Sequence, residues 1–350
     1  MSLLRKAHAW CGLILCILLA PIVLSGSVLV FKPQWIRATV PEARVLAEPT
    51  APEAAATMRT AMGLGEVRRV MFANEELGVH HVTFANGRSA YLGFREPTLV
   101  SEWAKNGRVV DFLFDLHHHY LSGETGTRVV GVVGLATLAM VITGLIVWLP
   151  AARSFQARVF PNRSGRAGWL AAHRDLGVLS APLVVVLVLT GTSLALGDWT
   201  IAVLRLPKAQ VPESGAGAVD WERALAAAQA RFPSAQLRIA TLPDKPKAPA
   251  TIRLRQPQEW HANGRTIVYI DPATSEVLAV EDPLKSPLRA QVYAAAWPIH
   301  ASKVGGLGWQ ILSVITGVSL FALSLYGAEA YRRSIFRRSP SKQSRPRSRV

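Results

Sequence analysis

The sequence predicts a polytopic α-helical membrane protein, in which a tandem duplication builds a bundle of four transmembrane helices and two small α+β modules outside the membrane. Three observations favour this fold class. Half of the 350 residues are apolar and only 18% are charged, whereas about a quarter of the residues of a soluble domain are charged. Four long stretches contain no charged residue. Histidines and glycines also recur at equal spacings in the two halves of the chain.

The four uncharged stretches are long enough to cross a bilayer, because about 20 apolar residues in a helix span its hydrocarbon core. The first stretch follows a basic N-terminus, as the apolar region of a signal peptide does, but it is about twice as long as such a region. We therefore expect a membrane anchor there. The stretches are residues 7–31, 129–152, 176–197 and 304–328.

The basic residues predict the side of the membrane on which each loop lies, since Lys and Arg concentrate in cytoplasmic loops. The two termini and the loop between the second and third spans hold 15 basic residues against Asp175 and Glu329, or +13 of the net charge of +16. We expect these segments to be cytoplasmic and to contact anionic lipid head groups, and we expect no nucleic-acid partner. The two remaining regions then face outside.

Each outer region predicts a small α+β module, with one amphipathic helix followed by short strands bounded by turn residues. The plan is clearer in the second region, where Pro233 ends the helix. The predicted helices are residues 52–62 and 221–232, and the predicted strands are residues 67–72, 79–84 and 88–94 in the first module and 236–241, 251–255, 265–270 and 276–280 in the second.

Four histidines recur with glycines at matching distances. Two of them are followed by glycine after four and 18 residues, and the other two after six and 27 residues. Such ungapped matches predict a tandem duplication of span, outer module and span. The first two are His8 with Gly12 and Gly26, and His173 with Gly177 and Gly191; the second two are His117 with Gly123 and Gly144, and His300 with Gly306 and Gly327.

Helix geometry places two of these histidines at each of two depths. His8 and His173 begin the first and third spans on the cytoplasmic side, whereas His117 and His300 precede the second and fourth spans on the outer side. Eighteen residues make five helical turns and about 27 Å of rise. The glycines 18 residues after His8 and His173 therefore lie on the same helix face, at the level of the outer pair.

Two histidines at one level are typical of haem ligation. Zinc takes four protein ligands, or three and a water, whereas haem iron needs one axial ligand on each face, which facing helices of a bundle supply. The sequence contains no Cys-x-x-Cys-His motif, which excludes covalent attachment. We expect two haem b groups, held by His8 with His173 and by His117 with His300. We expect Gly12, Gly26, Gly177 and Gly191 to make room for them.

The other candidate haem ligands and haem contacts are less sharply defined by the sequence. His117, His118 and His119 are all possible outer ligands, and the repeat spacing favours His117. Three basic residues and the three remaining histidines are not among the recurring histidine–glycine pairs. Arg128, Arg174 and Lys303 are candidate partners of the haem propionates, or cations that snorkel to the membrane surface. His80, His81 and His261 lie in the predicted outer modules without a repeat counterpart, so we expect them on the surface.

Four short motifs resemble the signatures of PepSY-associated transmembrane proteins, and the segment from Ile270 to Leu278 is similar to the PepSY domain. The resemblance covers residues 3–333 and implies the fold and cofactors of bacterial inner-membrane ferric-siderophore reductases of the ferrioxamine-reductase type. Such a reductase carries two b haems and reduces iron in the periplasm. The motifs are His8-Ala-Trp-Cys-Gly12, Leu116-His117 with Gly123, His173-Arg-Asp-Leu-Gly177 and Ile299-His300.

The expected domain organisation combines these observations. It has a cytoplasmic N-terminus (1–7), a first span (8–31), a periplasmic PepSY-like module (32–110), a second span with a periplasmic extension (111–152), a cytoplasmic loop (153–170), a third span (171–197), a periplasmic PepSY module (198–296), a fourth span with a periplasmic extension (297–331) and a basic cytoplasmic tail (332–350).

The expected function is an oxidoreductase that moves electrons across the inner membrane to a periplasmic ferric siderophore. No nucleotide fingerprint lies in a suitable context, so we expect quinol or a cytoplasmic reductase as the electron donor. Three alternatives remain: a di-haem reductase for another periplasmic acceptor, a membrane regulator that binds peptidases through its PepSY modules, and a transporter. The absence of charged residues within the spans disfavours the transporter.

Overall fold

The computed structural model describes residues 2–207 and 210–336. Of the predicted tail, residues 337–350 lie outside this range. The helices are α1 (Ser2–Leu29), α2 (Lys32–Thr39), α3 (Ala51–Gly63), α4 (Val109–His119), α5 (Gly123–Trp148), α6 (Arg166–Ala195), α7 (Gly197–Val203), α8 (Trp221–Arg231), α9 (Leu288–His300) and α10 (Gly306–Phe336). The strands are β1 (Val67–Met71), β2 (Val79–Phe84), β3 (Ser89–Gly93), β4 (Leu99–Trp103), β5 (Gln236–Thr241), β6 (Ala250–Arg255), β7 (Thr266–Ile270) and β8 (Val277–Glu281).

Within the described residues, four helices are long and apolar enough to cross a membrane: α1, α5, α6 and α10. Both α1 and α6 pack against α5 and against α10. Consequently α1 and α6 lie diagonally opposite each other in the bundle, and side chains from these two helices meet at its centre.

The periplasmic extensions expected on the second and fourth spans are separate helices, α4 and α9. Between α4 and α5 the chain turns through left-handed conformations at Tyr120 (φ 46°), Leu121 (φ 58°) and Gly123 (φ 60°). The turn before α10 is similar, with positive φ at Ser302, Gly305 and Gly306. Left-handed residues end an α-helix, so His117 and His300 lie on short helices beside the spans, not on the spans themselves.

The two predicted outer modules form one sheet, which corrects the expectation of two separate modules. Eight antiparallel strands run in the order β4-β3-β2-β1-β5-β6-β7-β8. Strands β1 and β5 join the halves, with Val70 opposite Ala240. This pairing removes two sheet edges whose backbone groups would otherwise stay unpaired.

Helices α3 and α8 cover one face of the sheet, where Met58 and Leu225 pack on Val70 and Ile252 in an apolar core. The opposite face contacts the membrane bundle through α2 and α4, and a second small core forms there around Ile36 of α2. We call this second side the bundle-facing side of the sheet.

The prediction that His80, His81 and His261 are surface residues is wrong. His80 is fully buried and accepts a hydrogen bond at Nδ1 from the backbone N–H of Ala73 (3.1 Å). His261 is also buried and stacks on Trp297 of α9. Burial lowers the pKa of His80 to about 4 and the pKa of both His81 and His261 to about 3, so all three are neutral at pH 7.

The order of elements in the first half of the chain recurs in the second half. Helix contacts recur as well: Gly134 of α5 lies against Thr192 of α6, and Gly317 of α10 lies against Ser27 of α1. A Cβ atom at either glycine would collide with the hydroxyl oxygen of its neighbour. Both contacts bring a helix of one half close to a helix of the other.

Candidate functional site

The first histidine pair joins the two diagonal helices near their N-terminal ends. His8 of α1 and His173 of α6 have ring centroids 6.3 Å apart, with ring planes at 76°. These are the two histidines that the sequence assigned to the cytoplasmic level. An apolar pocket of about 210 Å³ lies beside His8, between α1 and α5, and includes Met140 and Thr143 in its wall.

The second pair comes from the two short helices. His117 of α4 and His300 of α9 have ring centroids 6.0 Å apart, with planes inclined at 32°. Because α4 packs on α1 and α9 packs on α6, these rings also meet between the two diagonal helices.

Every ring of the two pairs is held at Nδ1 by a neighbouring helix. Three donate Nδ1–H to a backbone carbonyl, and the fourth donates to the Thr143 hydroxyl, which in turn donates to carbonyls of its own helix. Nε2 of each ring makes no hydrogen bond within the described residues. An imidazole whose Nδ1–H is engaged in this way presents Nε2 as a metal ligand. The bonds run from His117 to Ile22, from His173 to Leu323 and from His300 to Leu187, each 2.8 Å, and from His8 to Thr143, 3.0 Å.

A glycine lies against each of the four rings and allows its close approach. A Cβ atom on Gly26 or Gly191 would be 2.5 Å from Cε1 of His117 or His300, respectively. A Cβ atom on Gly144 would be 3.2 Å from Cε1 of His8, and a Cβ atom on Gly327 would be 3.3 Å from Cε1 of His173. For the three rings that bond to a backbone carbonyl, the glycine follows the acceptor residue by four positions, which is one helical turn. Because the glycine has no side chain, the ring can come close enough to the helix to reach that carbonyl.

The predicted glycine positions therefore divide into two groups. Gly26 and Gly191 contact the outer pair, at the level that the 18-residue spacing predicted. Gly12 and Gly177 instead lie against side chains of neighbouring helices, with a Cβ position 3.1 Å from Met140 Cε and 3.6 Å from Leu323 Cδ2. The sequence also showed Gly144 and Gly327 recurring, but spacing alone did not connect them with His8 and His173.

Of the three consecutive histidines, His117 is the one that the structure brings to His300. The Nδ1 atom of His118 bonds to the carbonyl of Phe114 in its own helix (2.9 Å), and its ring stacks on the Phe114 ring. His119 bonds to the Thr127 hydroxyl at the start of α5 (2.7 Å). Neither ring pairs with His300 in the described structure.

The geometry of both pairs fits a metal held between two imidazoles. Nitrogen–metal bonds of ~2 Å on opposite sides of one ion place the two ring centroids ~6 Å apart. The observed separations are 6.3 and 6.0 Å. Among the described residues, no group of three or more His, Cys, Asp or Glu side chains is arranged to hold a metal ion. Each pair therefore offers two imidazole ligands, a donor set that would fit a haem iron.

The three predicted propionate partners each have a protein partner in the structure. Arg128 pairs with Glu124 one turn earlier on the surface of α5. The other two pairs connect separate elements and are more buried. Arg174 contacts the fully buried carboxylate of Asp175 (2.9 Å) and the backbone of Ser154, and Lys303 contacts Glu76 of the β1–β2 loop (2.6 Å).

A bundle of four membrane-spanning helices that carries an eight-stranded sheet defines a membrane protein of mixed architecture. The sequence profile of the family described as the PepSY-associated TM region matches residues 5–333. The chain belongs to this family, and the resemblance inferred from its histidine motifs is confirmed. No curated protein sequence matches the chain.

Proposed function

We propose that the protein is a di-haem b oxidoreductase of the bacterial inner membrane, which passes electrons across the membrane to a periplasmic Fe(III)-siderophore and so releases Fe(II). The observation that carries this proposal is the presence of two histidine pairs with ring centroids 6.3 and 6.0 Å apart, in which each Nδ1 is engaged and Nε2 has no hydrogen-bond partner in the described residues. A haem bound at each pair would supply a one-electron Fe(III)/Fe(II) couple.

The spacing of the pairs supports a path across the membrane. Ile22, which holds His117, follows His8 by 14 residues in α1, and Leu187, which holds His300, follows His173 by 14 residues in α6. Fourteen residues of α-helix rise about 21 Å. This separation is about two thirds of a ~30 Å hydrocarbon core, which supports a role for the two pairs in carrying electrons across the membrane.

The chain's own residues have three tasks in this proposal. Backbone carbonyls of α1, α6 and α10 orient three of the imidazoles and the Thr143 hydroxyl orients the fourth, which would present Nε2 to a haem. Apolar side chains of the four spans exclude water and ions. The sheet holds the acceptor near His117 and His300, where reduction weakens the hold of hard oxygen ligands on the iron.

The direction of transfer rests on the charge distribution. With both termini and the 153–170 loop cytoplasmic, His8 and His173 lie on the donor side, where quinol or a cytoplasmic reductase supplies electrons. The outer pair and the sheet then lie in the periplasm. We also infer that the two halves arose by tandem duplication, since the histidine–glycine contacts correspond residue for residue between them.

Spectroscopy of single-histidine variants tests the proposal. The purified protein should give close to two haem b per chain in a pyridine haemochrome assay, with low-spin, six-coordinate spectra. His300→Ala should lose the outer haem or convert it to high spin, while the haem at His8 and His173 keeps its spectrum. His118→Ala is the matched control, because its Nδ1 bonds within its own helix and its ring stacks on Phe114, and it should keep both low-spin haems.

The second stage measures the reaction itself. Chemically reduced parent protein should reoxidise rapidly when a ferric siderophore is added and should yield Fe(II) that a ferrous chelator traps. Reduced His300→Ala should hold its electrons. His8→Ala should instead block reduction from the cytoplasmic side and leave an outer haem that a ferric chelate reoxidises. A colourless protein, or two low-spin haems in His300→Ala, would contradict the proposed ligands.

A further inference from the structure

The bundle-facing side of the sheet carries basic residues above the outer histidine pair. Side chains alternate between the faces of a strand, and Val70 and Ile252 point into the opposite core beneath α3 and α8. Their neighbours Arg69 of β1 and Arg253 of β6 therefore point to the bundle-facing side. His81 lies on the same side, because it is paired with Met71, which follows Val70.

The strand register brings these residues into adjacent rows. Arg69 is opposite Thr83 on one side and Thr241 on the other. In the next row, His81, Met71, Ile239 and Arg253 follow one another across β2, β1, β5 and β6. The two arginines thus lie on either side of the β1–β5 junction, at the centre of the sheet, where the two halves of the protein meet.

Lys32, the first residue of α2, adds a third positive charge from below. Its ammonium lies 4.8 Å from the centre of the Phe114 ring on α4, the helix that carries His117. Burial lowers the pKa of Lys32, and the positive charges of Lys303 and Arg69 lower it further, although Asp111 raises it. The contact with Phe114 places this lysine beside the helix that carries His117.

None of these three cations has an acidic partner within residues 2–207 and 210–336, and none forms a hydrogen bond through its side chain there. The nearby acids are engaged elsewhere. Asp111 accepts a hydrogen bond from Trp103, Glu76 pairs with Lys303, and Glu281 accepts from the hydroxyl of Tyr269.

A second, independent observation concerns a buried polar atom on the same side of the sheet. The Nε2 atom of His81 is buried and has no hydrogen-bond partner in the described structure. The ring stacks on Trp103 and lies edge-on to Tyr91. Buried polar atoms are almost always satisfied, and an anionic oxygen could accept from Nε2 and from the nearby cations together.

We propose that Lys32, Arg69, Arg253 and the Nε2 atom of His81 form a binding site for a carboxylate-bearing ligand, between the sheet and the outer histidine pair. Two sources of carboxylate suit this position: the propionates of a haem held by His117 and His300, and the carboxylates of an anionic ferric chelate. The second source rests on the proposed function and makes ferric citrate-type chelates, not cationic siderophores, the preferred acceptors.

A redox-inert analogue separates this inference from the proposed function. Gallium(III) citrate has the charge and oxygen donors of the ferric complex but accepts no electron, so its binding to the purified full-length protein, followed by calorimetry, does not depend on electron transfer. Arg69→Gln and Arg253→Gln, on different strands, are the test variants. Arg231→Gln is the matched control, because it removes an exposed arginine from α8 on the other side of the sheet.

If the ligand is an anionic chelate, each test variant should bind gallium citrate at least about tenfold more weakly, as expected for a lost charge-assisted hydrogen bond. The control should bind like the parent, and added salt should weaken binding. If the carboxylates are haem propionates, gallium citrate binding should be weak or absent in every form. The test variants should then lose the outer haem to apomyoglobin faster than the control does.

Unchanged gallium citrate affinity together with unchanged haem retention in both folded variants would overturn the proposal. A protein that binds gallium citrate through these residues but contains no haem would instead overturn the proposed function and leave this site standing. Size-exclusion profiles and circular dichroism identify a variant that has failed to fold, and the variant on the other strand then decides the outcome.

Discussion

At the scale of single residues, a glycine on a neighbouring helix is what allows each imidazole to reach its acceptor. The ring of His300 reaches the carbonyl of Leu187 because Gly191, one turn later, has no side chain. Any larger residue would displace the ring and release its Nδ1–H from the carbonyl. Glycine is costly inside a helix, so its recurrence opposite histidines indicates a packing requirement.

Gly191→Ala should therefore disturb the outer pair, since the new Cβ atom would lie 2.5 Å from His300 Cε1. If the two pairs hold haems as proposed, we expect loss or high-spin conversion of the outer haem, with the spectrum of the other haem unchanged. Gly308→Ala is the control, because nothing lies within 4 Å of its Cβ position in α10. Gly327→Ala, at 3.3 Å from His173, should have a smaller effect on the inner haem. Equal spectra for Gly191→Ala and Gly308→Ala would refute this role of glycine.

His80 leads to a prediction about pH and stability. Burial lowers its pKa to about 4 from the value of 6.5 expected in the unfolded chain. As the pH falls below 6.5, this histidine binds a proton in the unfolded chain but stays neutral in the folded protein. The free energy of unfolding should therefore drop by about 1.4 kcal/mol per pH unit until pH 4. Above pH 6.5 both states are neutral and this residue adds no pH dependence.

Thermal unfolding of the sheet at pH 7.5, 5.5 and 4.5, followed by circular dichroism, measures this dependence. His80→Asn keeps an acceptor for the Ala73 N–H but cannot be protonated, so its melting temperature should fall less steeply with decreasing pH. His81 and His261, which are also neutral at pH 7, should maintain the remaining slope. A variant slope equal to that of the parent would contradict the prediction.

At the scale of elements, a buried carboxylate holds the loop between α5 and α6 against the bundle. Asp175 of α6 is fully buried and pairs with Arg174 (2.9 Å) and with Arg158 of the loop (3.5 Å). Arg174 also donates to the backbone carbonyl of Ser154, where the loop begins. The loop that was expected to be cytoplasmic is thus attached two residues from His173.

Asp175→Asn should release this loop, because removing one partner of a buried ion pair leaves an uncompensated charge at a cost of about 3–5 kcal/mol. Trypsin should then cleave the detergent-solubilised variant after Arg158 several-fold faster than the parent. Glu124→Gln, which breaks only the exposed pair with Arg128, is the control and should be cleaved at the parental rate. Equal cleavage of the two variants would show that Asp175 does not restrain the loop.

Elements with strong periodicity could be predicted from the sequence, and those determined by tertiary packing could not. The second-module strand 236–241 and the helix beginning at Trp221 lie where alternation and Pro233 placed them. Strand β4 was missed, because Leu99–Trp103 is too exposed to alternate clearly. The separation of α4 from α5 was missed because neither Tyr120 nor Leu121 favours a left-handed conformation, and only the packing of α4 on α1 explains it.

At the scale of the whole molecule, the main difference from the sequence prediction is the junction of the two modules. Local patterns predict a strand but not the strand with which it pairs, and residues 71 and 239, which face each other, are far apart in the chain. The histidine pairs were predictable because the same histidine–glycine spacings recur in both halves of the chain. The basic surface near Arg69 and Arg253 was not, because only the β1–β5 junction brings it together.

The predicted orientation of the molecule can be tested with reporter fusions. Lys and Arg in short loops determine which side of the membrane they occupy, so green fluorescent protein fused after Arg349 or near Arg158 should fluoresce. Alkaline phosphatase should be active only when fused near Gly87 or Asp271. Phosphatase activity at the C-terminus would reverse the orientation and, with it, the direction of electron transfer.

The division of each histidine pair between the two halves has a consequence for biosynthesis. His8 and His117 are translated before the second half exists, and their counterparts His173 and His300 follow only when the third span and α9 have been made. During this interval, the growing chain can offer an incoming prosthetic group no more than one side of either position. If the pairs hold prosthetic groups as proposed, the outer position is completed only after His300 has been made, so a chain that terminates before α9 would leave that position half built.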